Sequence, residues 1–190
     1  ADRLRGLGSE VMDVSWPHTK YAIAVYYVVV PCEDSSNQAR MDGMRFGPRG
    51  RGANLEETYL QARVVGFPPE VKRRMMIGTF ALSHGYYDAY YKKAQQVRTR
   101  MMRDFEDAFN KVDVLLAPTT PGPAFKIGEK VADPLAMYKE DVFVIPAAVA
   151  GLPAISVPGG FINNLPFGVQ FIGPRLTEEL ILRVAHHFVL

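Results

Sequence analysis

Three consecutive cations, Lys72, Arg73 and Arg74, stand in a run whose other members are mostly apolar: Val71, Met75, Met76, Ile77, Phe80 and Leu82. The run reads as a helix, on which neighbouring side chains lie about 100° apart, so the three cations sweep roughly 200° of its surface. The apolar residues fill almost every other direction, and a helix apolar nearly all round is normally buried. At least one cation is therefore expected to face protein interior, an interface or a ligand. Helical projection nominates Arg74, which lies on the side of Val71 and Gly78. A buried guanidinium needs an anion, and its planar fork suits a carboxylate best.

Asp141 is the second candidate. It follows Lys139-Glu140 and precedes Val142-Phe143-Val144-Ile145-Pro146. One reading is an N-cap that satisfies free amides of the helix beyond it. The other is a carboxylate at the edge of a buried region, suited to an ammonium group. Tyr26 and Tyr27 sit in an apolar helix, with at least one expected in the core. An Arg fork and an Asp carboxylate in one pocket would read the α-carboxylate and α-ammonium of an amino acid; sequence alone permits Arg74 and Asp141 to meet without showing that they do.

No persuasive nucleophile accompanies these groups. There is no G-x-S-x-G elbow, no P-loop, and no G-x-G-x-x-G opening a helix after a strand. Ser35-Ser36-Asn37 reads as helix surface or local capping. The histidines, His18, His84, His186 and His187, form no zinc-ligand pattern with Cys32, so no metal site is expected.

The elements that must position these residues alternate in an α/β manner. A strand is expected at Glu10–Ser15, a turn at Trp16-Pro17, and a helix over Tyr21–Ala39, interrupted or restarted near Pro31. Residues 41–54, rich in Gly and Arg, read as a loop; Leu55–Val65 reads as a helix that Phe67-Pro68-Pro69 breaks. After the Glu70 block and a Gly-Tyr-Tyr hinge, a helix from about Tyr87 to Phe109 carries a stripe of Tyr90, Ala94, Val97, Met101, Phe105 and Ala108. Its charges run against the helix dipole, an effect that Arg100–Asp104 and Arg103–Asp107 pairs are expected to offset. A buried strand follows at Asp113–Ala117, a loop at Pro118–Phe125, and a helix over Asp141–Ala150 stopping at Gly151. Pro153–Pro158 and Phe167–Ile172 read as strands with an Asn163-Asn164 turn between them. Thr177 is placed to cap a last helix, with Leu176 and Ile181 as a hydrophobic staple.

Composition bounds the rest. The chain of 190 residues is long enough for one domain with a sizeable core, and is 48% hydrophobic and 22% charged. A net charge of +2, with bases dispersed among acids, argues against a dedicated nucleic-acid surface. A single cysteine excludes an internal disulfide framework and fits a reducing compartment. No apolar run approaches the ~18–20 residues that span a bilayer, so no membrane role is expected, and no signal or transit peptide is recognisable. ADRLRGLG at the start reads as the end of a helix, and Phe188-Val189-Leu190 stops within an apolar helical pattern, so the chain reads as a piece of something larger.

The segments VKRRMMIGTFALSHGYYDAYYKKAQQVRT, DVLLAPTTPGPAF, DPLAMYKEDVFVIPAAVAGLPAISVP and LPFGVQFIG together resemble the C-terminal part of amidase-signature enzymes, and within them the A subunits of glutamyl-tRNA(Gln) amidotransferases. The resemblance runs from GLGSEVMDVSWPHT to LRVAHHF. It implies an α/β fold with a mixed sheet flanked by helices, residues 1–190 being a single fragment of an amidase domain whose N-terminal catalytic part is absent. The family's Ser-cisSer-Lys triad lies upstream of everything present, so no catalytic residue is expected in this chain and the fragment alone is expected to be inactive. By the same resemblance the intact subunit hydrolyses glutamine and passes ammonia to a partner that amidates Glu-tRNA(Gln). ATP and magnesium sites belong to that partner, the assembly is a heterotrimer, and its place is the cytoplasm or an organellar matrix. Motif by motif, the resemblance gives Arg74 to the glutamine α-carboxylate, Asp141 to its α-ammonium, and Tyr26 to the wall of the same pocket. Gly159, where a cysteine is common, CEDSSN, and Pro68-Pro69 depart from the family pattern. Two rival readings are a general amidase acting on other amides, and a non-catalytic docking module that presents the charged face of the Tyr87–Phe109 helix.

Overall fold

The structure is a computed structural model that describes residues 1–190, the side chain of Pro134 apart. The chain divides into two compact units: residues 1–23 with 97–190, and residues 24–96. Two helices, α2 (Ala22–Asn37) and α5 (Lys93–Phe109), begin in one unit and end in the other.

The first unit is built on a three-stranded sheet of β1 (Leu115–Pro118), β2 (Ala154–Ile162) and β3 (Leu165–Ile172), in the order β1-β3-β2. Both pairings are antiparallel, so the mixed pairing expected of the sheet does not occur among the described residues. Asn163 and Asn164 turn β2 into β3 with φ of 50° and 64°, the left-handed pair that a two-residue hairpin demands and that asparagine tolerates. Alternate residues of a strand face opposite sides, and the core divides accordingly. On one face Leu115 and Ile172, register partners, pack with Phe105 and Ala108 of α5 and with Ala147 and Ala150 of α7 (Ile145–Ala150). On the other, Val157 and Phe171 pack with Ala185 and Phe188 of α8 (Glu178–Val189), flanked by Leu4 of α1 (Asp2–Gly6).

Several local expectations gave way to tertiary context. Glu10–Ser15 forms no strand; Val14 packs on the α5 side of the core, but no strand of the sheet lies beside this segment to complete a ladder. Thr177 stands at the N-cap of α8, yet its hydroxyl donates to the Pro174 carbonyl (2.7 Å) instead of capping. The Leu176–Ile181 staple is absent because Leu176 has φ of 62° and is 90% exposed, whereas Ile181 is buried. Asp104 does not pair with Arg100, nor Arg103 with Asp107. Asp104 instead accepts from the His18 backbone N–H (2.8 Å) and lies 2.9 Å from His18 Nδ1. That long-range tie is invisible to helical spacing.

The second unit holds α2 beyond Ile23, then α3 (Leu55–Gly66) and α4 (Pro69–Leu82). Asn54 caps α3 by accepting from the Glu57 N–H (2.9 Å) while Glu57 accepts from the Ala53 N–H (2.8 Å), a reciprocal arrangement of the capping-box type. Pro69 opens α4 at its first position, where a missing N–H does no harm. Pro31 lies inside α2 without ending it, although it deprives the Tyr27 carbonyl of its helical donor. At this proline α4 approaches closely: a Cβ on Gly78 would lie 1.8 Å from the Pro31 carbonyl oxygen, so only glycine admits the two backbones at this separation. The helix expected from Tyr87 begins as a π-turn over Asp88–Lys92 before α5 takes over at Lys93. No helix among the described residues is long and apolar enough to cross a membrane.

Candidate functional site

The Gly78–Pro31 crossing sets the geometry around Arg74. One turn back along α4 from Gly78 is Arg74, and one turn back along α2 from Pro31 are Tyr26 and Tyr27. The guanidinium carbon of Arg74 stands 5.5 Å from the centroid of the Tyr27 ring, in the range of a cation–π contact, and the Tyr26 hydroxyl is near enough to favour its charged form. The two tyrosines pack edge to face with centroids 5.0 Å apart. Neither is buried, against the expectation that one would be core.

Arg74 is the more enclosed of the two arginines, its side chain 25% exposed against 46% for Arg73. Its anion is supplied from within: Arg74 Nε donates to Glu70 Oε1 (3.0 Å), one turn earlier on α4. Arg73 Nε donates to Glu70 Oε2 (2.9 Å). The anion that a guanidinium needs is thus present within the helix itself, and the i,i+4 spacing of Glu70 and Arg74 was the available signal. Two guanidinium groups nevertheless share a single carboxylate, leaving the trio with a net positive charge. Burial pushes the Arg74 pKa down, but the bonds to Glu70 and Tyr26 outweigh it and hold the group above its ordinary value. It is a permanent cation, apt for a carboxylate.

The α4 helix is less buried than its composition implied. Met76, Ile77 and Phe80 are exposed, so Arg74 is drawn inward by the Gly78 side of the helix rather than by burial all round.

Asp141 lies in the first unit, whereas Arg74 and Tyr26 lie in the second. Asp141 ends a 3-10 turn, Lys139–Asp141, behind α6 (Pro134–Tyr138). It is not an N-cap: α7 starts at Ile145, and its N-cap is Val144 with no side-chain bond. Because the intervening residues turn, the Asp141 carbonyl accepts from the Val144 N–H (3.1 Å) while its carboxylate makes no hydrogen bond or ion pair among the described residues. That carboxylate is exposed, and so is available to a cationic group from outside. Gly151, with φ of 70°, ends α7 as expected.

Sequence reasoning passed over Tyr27 as a contact of Arg74, and Gln170, Lys130 and Glu140 around the Asp141 turn. Ser35 donates to the Cys32 carbonyl (2.9 Å), a bond within its own helix. No group of three or more His, Cys, Asp or Glu side chains among the described residues is arranged to hold a metal ion.

The family model described as Amidase matches residues 1–182. The A subunit of glutamyl-tRNA(Gln) amidotransferase from Halalkalibacterium halodurans is 58% identical over 186 residues, covering 97% of this chain. Its counterpart from Bacillus pumilus is likewise 58% identical over 186 residues. Among solved structures, the A subunit of the Thermotoga maritima amidotransferase superposes with a TM-score of 0.70 at 45% identity, over 98% of this chain and 36% of that one. A bacterial aryl acylamidase of the amidase-signature enzymes superposes at 0.66 with 20% identity, over 98% of this chain and 37% of its own, a likeness of fold alone. The chain spans 38% of the length of the curated relatives it matches.

Proposed function

The chain belongs to the amidase family, and from that premise we propose that the intact protein is the glutamine-hydrolysing A subunit of a glutamyl-tRNA(Gln) amidotransferase. In this reading it releases ammonia that a partner subunit uses to convert Glu-tRNA(Gln) to Gln-tRNA(Gln), with ATP and magnesium bound by that partner, in the cytoplasm or an organellar matrix. Arg74 receives the α-carboxylate of glutamine, Tyr26 lines the pocket, and Asp141 receives the α-ammonium. The nucleophile and its lysine come from outside these 190 residues.

The observation that carries the reading is the Arg74 guanidinium. It is stacked over Tyr27, held by Glu70, and set in a trio of charges that retains one positive charge. A planar cation held by a ring and a carboxylate is preorganised for a planar anion, and less side-chain entropy is left to lose on binding. In the intact protein, Arg74→Ala is expected to raise the glutamine KM by about a hundredfold, the loss of a charge-assisted bidentate pair. An unchanged KM would remove Arg74 from the site. The isolated chain is expected to release no ammonia from glutamine. Measurable glutaminase activity in the pure 190-residue protein would overturn the placement of the nucleophile elsewhere.

A further inference from the structure

The turn that carries Asp141 is tied down from two sides. We infer that Gln170 and Lys130 are positioning residues that set the Asp141 carboxylate for an ammonium group, an inference that rests on the reading of Asp141 given above. Gln170 is the buried polar side chain of the described core, 2% exposed on the central strand β3. Its Nε2 donates to the carbonyls of Pro118 (2.9 Å) and Phe143 (2.7 Å), so both amide protons are committed. The first carbonyl ends β1. The second lies two residues beyond Asp141, in the link from the 3-10 turn to α7. An aliphatic side chain at position 170 would leave both carbonyls without this donor.

On the outer side, Lys130 Nζ pairs with Glu140, the residue before Asp141, and sits 4.5 Å over the Phe125 ring. Both members of the pair are largely enclosed, at 22% and 21% exposed. Residues on either side of Asp141 are thus engaged, Glu140 by Lys130 and Phe143 by Gln170, while the Asp141 carboxylate is left unbonded among the described residues. The supports are satisfied and the binding group is not. That arrangement holds the backbone that carries the carboxylate without occupying the carboxylate itself.

The test uses the full-length protein in its assembled complex and two amides. One is glutamine; the other is glutaramate, which keeps the γ-amide and the carboxylate but carries hydrogen in place of the α-ammonium. Asp141→Asn should raise KM for glutamine and leave glutaramate unaffected. Gln170→Met should raise the glutamine KM about tenfold, and Lys130→Met roughly threefold, with little change for glutaramate. Combined with Asp141→Asn, neither substitution should add a further loss. Lys130→Met alters a partly exposed side chain outside the buried core and reports even where Gln170→Met fails to fold. Equal KM increases for both amides, or full additivity with Asp141→Asn, would make Gln170 and Lys130 structural only and overturn the inference. Failure of the reading beneath it looks different, because Asp141→Asn alone would then treat the two amides alike.

Discussion

Tyr91 shows how one side chain couples charge to the geometry of this protein. Its hydroxyl donates to Glu33 Oε1 (2.6 Å) and accepts from Gln95 Nε2 (2.9 Å), tying the π-turn to α2. The bond to Glu33, with burial adding to it, raises the phenol pKa above its ordinary 10.0. Loss of the proton would place a phenolate against a carboxylate. A raised pKa means that the stabilisation is complete below the unfolded value and is lost as pH climbs through the folded one. Tyr91→Phe is accordingly expected to destabilise the folded chain by about 1 kcal/mol, a figure kept below that of a buried charged bond because Glu33 is exposed. Urea unfolding of the two proteins at about pH 8 and about pH 11 tests this: the difference should persist at the lower pH and shrink at the higher. A difference independent of pH would deny Tyr91 its role.

At the scale of elements, periodicity carried most of the fold. The α4 and α5 helices, the β2–β3 hairpin and the α8 helix lie where apolar spacing and turn residues put them. The failures share a cause, which is that a local signal had no remote partner or had a stronger one. Glu10–Ser15 has strand-like residues but no neighbouring strand. Asp104 has an arginine four residues away but binds His18, 86 residues away in sequence. Pro31 should break a helix and does not, and α4 packs on that turn through Gly78. The candidate site divides in the same way. Arg74 stood out because a cation among apolar residues has a sequence signature, and Glu70 was legible one helical turn away. Gln170 was not, since its acceptors are backbone carbonyls of two distant segments, and a carbonyl looks the same at every residue. Asp141 resembled an N-cap because capping is judged from the residue before an apolar run. The three turning residues between it and α7 leave no mark in composition.

At the scale of the whole molecule, the 24–96 unit exposes many large apolar side chains. Leu60, Val64 and Val65 on α3 and Met76, Ile77 and Phe80 on α4 all stand in solvent, Val65 at 76% and Met76 at 74%. Beside them Met75, Met76, Thr79, Phe80 and Ser83 line a groove of about 630 Å³ bounded by Arg63 and Lys72. Exposed apolar side chains of this kind bind hydrophobic dyes and drive association. The most exposed of them, Val65 and Met76, contribute little to the unit's stability, since what is already exposed has little to lose on unfolding. Charging the face should therefore change its solution behaviour and leave its fold alone. The double variant Val65→Lys with Met76→Lys is expected to keep the helical circular dichroism and to shift unfolding by no more than about 0.5 kcal/mol per site. Over the same concentration range, fluorescence of an anilinonaphthalene dye should fall and the solubility limit rise. Loss of helical signal would mean that these residues are packed in solution, so that the α3–α4 face is closed there rather than open.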